Sequence, residues 1–153
     1  MNEPGISLAQ VSYPRCNNVA SMSLSPTPRQ TLADAARLLL EHARGESDRG
    51  YQKDDRIFVM DSAEKAWNAV CHGIDHLMMR KGKTPAVGRD VHSDRREFLE
   101  SLGRHDLAIS YSYFADTLHG CYFYEGRVPR ARTEMEPRLG EVEQFLSSLR
   151  ELE

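Results

Sequence analysis

The sequence predicts an all-α protein, a bundle of four to five helices packed up and down. Three observations lead there. Apolar residues recur at steps of three and four in several stretches, most densely over residues 107–126. No stretch alternates apolar and polar residues for long enough to make a strand. The breaks between the periodic stretches are short and carry the glycines and prolines that end and start helices, which favours antiparallel neighbours. At 153 residues, with 40% hydrophobic and 28% charged content, the chain has the size and composition of one globular domain.

Residues 1–26 hold Pro4, Pro14 and Pro26 among scattered serines and asparagines without a sustained period. They read as a disordered leader, with Met22 available as an alternative start, and residues 27–153 as the helical domain. Thr27, Pro28 and Gln30 combine a capping threonine, a first-turn proline and a capping-box glutamine. From there Leu32, Ala35, Ala36, Leu39 and Ala43 form the stripe of a first helix, with Gly45 as its stop and residues 46–53 as a polar turn. A second helix begins between Asp54 and Asp61. Its seam is Ile57, Met60, Glu64, Trp67, Cys71, Ile74 and Met78, with one carboxylate among the apolar side chains. Gly82, Pro85 and Gly88 make the following loop. Ser93 is placed to cap a short third helix that turns Phe98, Leu99 and Leu102 inward and ends at Gly103.

The fourth helix, over 107–126, carries Leu107, Tyr111, Phe114, Ala115, Leu118, Cys121 and Tyr122 on one stripe. Its other flank is apolar as well, with Ile109, Tyr113, Phe123 and Tyr124. A helix apolar nearly all round is expected to be surrounded by sister helices or by a second subunit, so a homodimer through this region follows. The last helix presents Leu139, Val142, Phe145, Leu146, Leu149 and Leu152, and Pro137 suits only its first turn.

A net charge of −3 supplies no general attraction for nucleic acid, so such a ligand has to be held by a local patch. Cys16, Cys71 and Cys121 are odd in number and widely spaced, which points to free thiols in a reducing compartment. The N-terminus lacks a signal-peptide pattern and no apolar run has the length of a membrane span, so a cytoplasmic protein without membrane contact is expected.

Chemistry concentrates in Leu118 to Gly126, LHGCYFYEG, where a histidine, three aromatics and a glutamate share the end of one helix. An imidazole there can act as a general base on a ribose 2′-hydroxyl. Tyr122 or Tyr124 can donate to a phosphate oxygen or stack on a base, and Arg127 can neutralise charge developing on phosphorus. The same residues also fit a plain structural role, a histidine bonded to a carboxylate beside amphipathic tyrosines. Glu64, inside an apolar seam, needs a partner, and across the bundle His119 or a tyrosine hydroxyl is available; this predicts Glu64 and His119 within hydrogen-bonding reach. His72, Asp75 and His76 have helical metal-ligand spacing but no third ligand at fixed distance, so no metal and no cofactor is assigned. From Arg80 to Arg104 seven basic residues, Arg95 and Arg96 among them, meet four acidic ones, a local excess suited to phosphates.

SAEKAWNAVCHGIDHLMMRKG (Ser62 to Gly82), followed about forty residues later by LHGCYFYEG, resembles the HEPN superfamily of prokaryotic helical bundles. The branch it is most similar to carries an EKxWxA second helix and an LHxNFYE fourth helix. Glu64, Lys65, Trp67 and Ala69 match the first motif, and Leu118, His119, Phe123, Tyr124 and Glu125 match the second. One extra residue separates His119 from Phe-Tyr-Glu, and Cys121 or Tyr122 stands for the usual asparagine. On an α-helix that shifts the histidine by about 100°.

The resemblance implies a homodimeric bundle, often half of a toxin–antitoxin or phage-defence pair. Some members are metal-independent ribonucleases; others are inactive binders of a partner such as a nucleotidyltransferase. Taken with the residue-level reading above, it makes His119, Tyr122, Tyr124, Glu125 and Glu64 the expected catalytic set, and Lys65, Arg127, Arg95 and Arg96 the expected RNA- or nucleotide-binding set. The arginine-to-histidine spacing of the ribonuclease members occurs only at Arg37 and His42, on the first helix rather than the fourth. That leans the expectation toward a binding protein for a nucleotidyltransferase-like or antitoxin partner, a nucleotide or RNA, with a ribonuclease toxin acting through His119 at a dimer cleft as the alternative.

Overall fold

The computed structural model describes residues 32–85 and 87–153, all of it helices and their connections. The expected leader and the helix start at Thr27 lie outside the described residues. Five helices follow in order: α1 (Leu32–Lys53), α2 (Arg56–Arg80), α3 (Val91–Ser101), α4 (His105–Phe114), which runs on as a π-helical segment (Ala115–Tyr124), and α5 (Arg132–Arg150). The protein is an all-α bundle, and no described helix is long and apolar enough to cross a membrane.

The first helix does not stop at Gly45. Residues 46–53 continue it, because two small residues of the expected turn, Ser47 and Gly50, are buried, Gly50 against Val59 of α2. A Cβ on Gly50 would stand 2.6 Å from Val59 Cγ2, so only glycine admits this approach. Across the same contact Ser62 Oγ donates to the Ala43 carbonyl at 2.7 Å. The turn back is two residues long. Asp54 takes the left-handed conformation at φ 52°, which aspartate tolerates, and the Asp55 carboxylate accepts from the Ile57 N–H at 3.0 Å to cap α2.

The central element is α2 rather than the fourth helix. It packs against α1, α3, the π segment and α5, and it buries Val59, Ala63, Ala66, Trp67, Val70, Ile74 and Leu77. Its predicted seam holds from Trp67 to Met78, but Ile57 stands in the first turn, beyond the reach of its neighbours, and is 66% exposed. On the fourth helix Leu107, Tyr111, Phe114 and Leu118 are buried as expected, whereas Ile109, Tyr113 and Tyr124 remain uncovered within one chain. α3 starts at Val91, ahead of Ser93, because the Asp90 carbonyl already accepts from the Asp94 N–H at 2.9 Å. Pro137 lies inside α5, past its first turn. Buried Met135, and Arg132 held by Asp48 and Glu136 at 2.9 Å each, extend that helix toward its N-terminus.

Candidate functional site

Trp67 is the floor of the site. It is 2% exposed, and three rings from three other elements lie against it, with two more around the first of them. The π segment brings His119, whose centroid lies 5.5 Å from that of Trp67 at 30°. The start of α3 brings His92 at 5.6 Å, and α4 brings Tyr111 at 5.2 Å. Tyr124 meets the His119 ring edge-on at 4.7 Å, and Phe123 lies nearly parallel to it at 6.3 Å.

The predicted pairing is present. His119 Nδ1 donates to Glu64 Oε2 at 2.8 Å, with the two side chains 25% and 24% exposed. A carboxylate accepts only, so this bond fixes the proton on Nδ1 and leaves Nε2 as the open nitrogen. His92 has the same arrangement with a different partner, its Nδ1 lying 2.9 Å from Tyr111 Oη, and the two imidazoles are 6.3 Å apart.

The rings converge because the helix widens. In an α-helix, residues five apart point about 140° from each other. Over 115–124 the bonds reach one residue further, as in the Glu125 N–H to Gly120 carbonyl bond of 3.1 Å, and residues five apart come into line. His119 therefore faces both Phe123 and Tyr124. Gly126, at φ 66°, ends the segment, and Arg56 donates to its carbonyl.

Beneath the imidazoles lies a second polar layer. Arg95 makes a bidentate pair with Asp75, both bonds 2.8 Å, and also reaches the Tyr111 hydroxyl. Burial opposes its charge, but these bonds more than compensate and raise its pKa. Burial likewise pushes the Tyr111 hydroxyl up to about 12, helped by Cys71 and opposed by Arg95. The Cys71 thiol is also raised to about 12, first by burial, so it is an inert core group. The pKa of His92 is lowered by burial, then by Arg95 and His119.

Of the expected catalytic set, Glu64, His119 and Tyr124 come together. Tyr122 does not join them: it has no ring contact with His119 or Trp67 and packs against the core, and burial raises its pKa against the pull of Arg138 on α5. Glu125 pairs with Arg127 at 3.1 Å on the surface. In the expected binding set, Arg127 is open, Lys65 is 3.7 Å from Glu46, and Arg96 is 3.9 Å from Glu100. Arg95 turns inward to Asp75, so it orders the site rather than waiting for phosphate. Arg37 sits on exposed α1 surface, bound to Glu41 at 2.6 Å, with His42 exposed nearby in sequence.

His72 bonds the Asn68 carbonyl at 2.8 Å and His76 lies 3.3 Å from Glu153. Among the described residues no three His, Cys, Asp or Glu side chains form a metal-binding group. Cys71 and Cys121 are free thiols. Sequence reading missed His92 and the polar use of Tyr111. Neither carries a motif, and only the packing of α3 against α4 joins them. No protein-family model, curated protein or solved structure matches the chain.

Proposed function

We propose that the chain is a HEPN-like helical protein of a toxin–antitoxin or defence-type pair, cytoplasmic and homodimeric, that binds RNA or a nucleotide at the Trp67–His119 site. A nucleotidyltransferase-like or antitoxin partner would share the pair with it. The observation that carries this reading is His119 itself. It is locked by Glu64, laid on Trp67 and edged by Tyr124, which is 72% exposed. An open tyrosine beside an oriented imidazole offers a base a stacking surface and a sugar or phosphate a hydrogen bond. Those positions are also the ones that carry the HEPN-like motifs.

The test uses Trp67, the only tryptophan, as reporter. Its fluorescence should change on titration with a short oligoribonucleotide, and Tyr124→Ala or His119→Ala should weaken binding about tenfold each, the worth of one stacked base or one good hydrogen bond. Equal affinity in both variants would refute the site.

A second reading, the metal-independent ribonuclease, is favoured by the His119–Glu64 bond. His119 Nε2 would take the proton of a 2′-hydroxyl, the freed oxygen would attack phosphorus, and the 5′-oxygen would leave and gain a proton from solvent. A cyclic 2′,3′-phosphate product, lost in His119→Ala with folding intact, would establish it. Intact RNA after prolonged incubation would leave binding alone.

A further inference from the structure

The two imidazoles of the site differ in which nitrogen holds the proton, and the difference is set by their partners. His119 Nδ1 faces a carboxylate, so in the neutral ring Nε2 is an acceptor. For His92 the sequence of bonds runs the other way. Arg95 can only donate and its charge lies beside the Tyr111 hydroxyl, so the Tyr111 oxygen is drawn toward Arg95 and its own proton toward His92 Nδ1. Neutral His92 then carries its proton on Nε2 and is a donor there. Asp75 holds Arg95 in place through two 2.8 Å bonds, and Tyr111 is 2% exposed. Among the described residues neither Nε2 has a hydrogen-bond partner, and the rings stand 6.3 Å apart. An acceptor and a donor on adjacent rings, whose centroids lie 6.3 Å apart, can address a hydroxyl and a neighbouring phosphate oxygen of one ligand, each by a hydrogen bond of about 3 Å.

We infer that His92 is a second ligand-reading residue, held as an Nε2–H donor by the Asp75–Arg95–Tyr111 chain, which binds the phosphate oxygen next to the ribose 2′-hydroxyl accepted by His119. This rests on the RNA-binding reading above. Tyr111 and Arg95 are positioning residues. The pair also gives the site a means of telling RNA from DNA, because only the His119 contact needs the 2′-hydroxyl.

The test compares a short oligouridylate with its deoxyuridine counterpart, titrated against the full chain and its variants. Wild type should prefer the ribo form about tenfold, one hydrogen bond. His119→Ala should abolish that preference by weakening the ribo form alone. His92→Ala should weaken both forms by a similar factor, about tenfold, and His92→Gln, which keeps an N–H, should recover part of it. Independently of ligand, nitrogen-15 shifts should show the Nε2–H tautomer at His92 in wild type and a mixture in Tyr111→Phe. Failure of wild type to bind either oligonucleotide would sink the RNA reading and this proposal with it. Binding that His92→Ala leaves unchanged, or an Nδ1–H tautomer at His92, would overturn this proposal alone.

Discussion

The Glu64–His119 bond has a calculable consequence for stability. A hydrogen bond to a charged group contributes about 1.5–3 kcal/mol, and leaving one partner behind in a partly buried place costs about as much. Both side chains keep about a quarter of their surface in water, at 24% and 25%, so water replaces part of what is lost and the lower half of that range applies. Glu64→Ala should therefore cost about 1.5 kcal/mol. His119→Ala removes in addition the ring laid on Trp67, worth about another 1 kcal/mol, and should cost about 2.5. The bond can be lost only once, so the double variant should cost about 2.5 kcal/mol rather than about 4, a coupling of ~1.5 kcal/mol. Urea unfolding followed by far-ultraviolet dichroism measures all four proteins without relying on Trp67, which sits inside the perturbed site. Additivity within about 0.3 kcal/mol would mean that the bond contributes nothing to folding. The site would then lose the fixed histidine on which both functional readings depend.

Three further outcomes follow from the same packing. Gly73→Ala would set a Cβ 2.6 Å from Leu146 Cδ2 and 3.1 Å from Leu149 Cδ1, an overpacking of α2 against α5 worth about 1–3 kcal/mol. A thermal scan should show Tm lower by about 4–12 °C, and an unchanged Tm would show that α5 can shift freely. His92 should titrate below its ordinary 6.5, since partial burial, Arg95 and His119 all disfavour its charged form and, among the described residues, Tyr111 is the only group hydrogen-bonded to it. The unfolded chain then takes up this proton first. Its contribution to stability is complete above about pH 6.5 and is lost as pH falls toward the lower folded value. Proton NMR gives the titration directly, and a midpoint above 6.5 would contradict the burial. Ile109 at 70%, Tyr113 at 39% and Tyr124 at 72% exposure leave an apolar flank on one chain, so sedimentation at micromolar concentration should find two chains together; a clean monomer would remove the dimer.

Periodicity alone was enough for the helices whose apolar stripe is long, because a repeat of three and four over several turns has few other solutions. The stripe of α5 from Leu139 to Leu149 and the core half of the fourth helix both came out buried. What composition could not distinguish was a small residue at a turn from a small residue at a close helix contact. Ser47 and Gly50 have the composition of the first and the buried placement of the second. The reach of Glu64 to His119 was predictable, since a carboxylate in an apolar seam must find a donor and few were near. His92 was not. Nothing in its own neighbourhood of charged residues marks it, and its role comes from Tyr111, whose apolar ring already accounted for its place on the stripe.

The π segment explains how His119, Phe123 and Tyr124 come to share one face. In an α-helix Phe123, four residues on, would still neighbour His119, but Tyr124, five residues on, would point about 140° away. Hydrogen bonds that span one residue more bring Tyr124 back toward His119 without a loop. The cost is a ladder of less favourable bonds, and the compensation is local: Leu118 is fully buried, Gly126 closes the segment in a left-handed turn, and Arg56 binds the Gly126 carbonyl from α2. Both ends of the wide segment are thus anchored to the core, one by packing and one by a charged donor. Tyr122, on the turn between them, packs against the core, which leaves His119, Phe123 and Tyr124 to share one face over Trp67. The widened helix and the site are in this sense one feature, because an α-helical 115–124 would keep His119 on Glu64 while turning Tyr124 away from it.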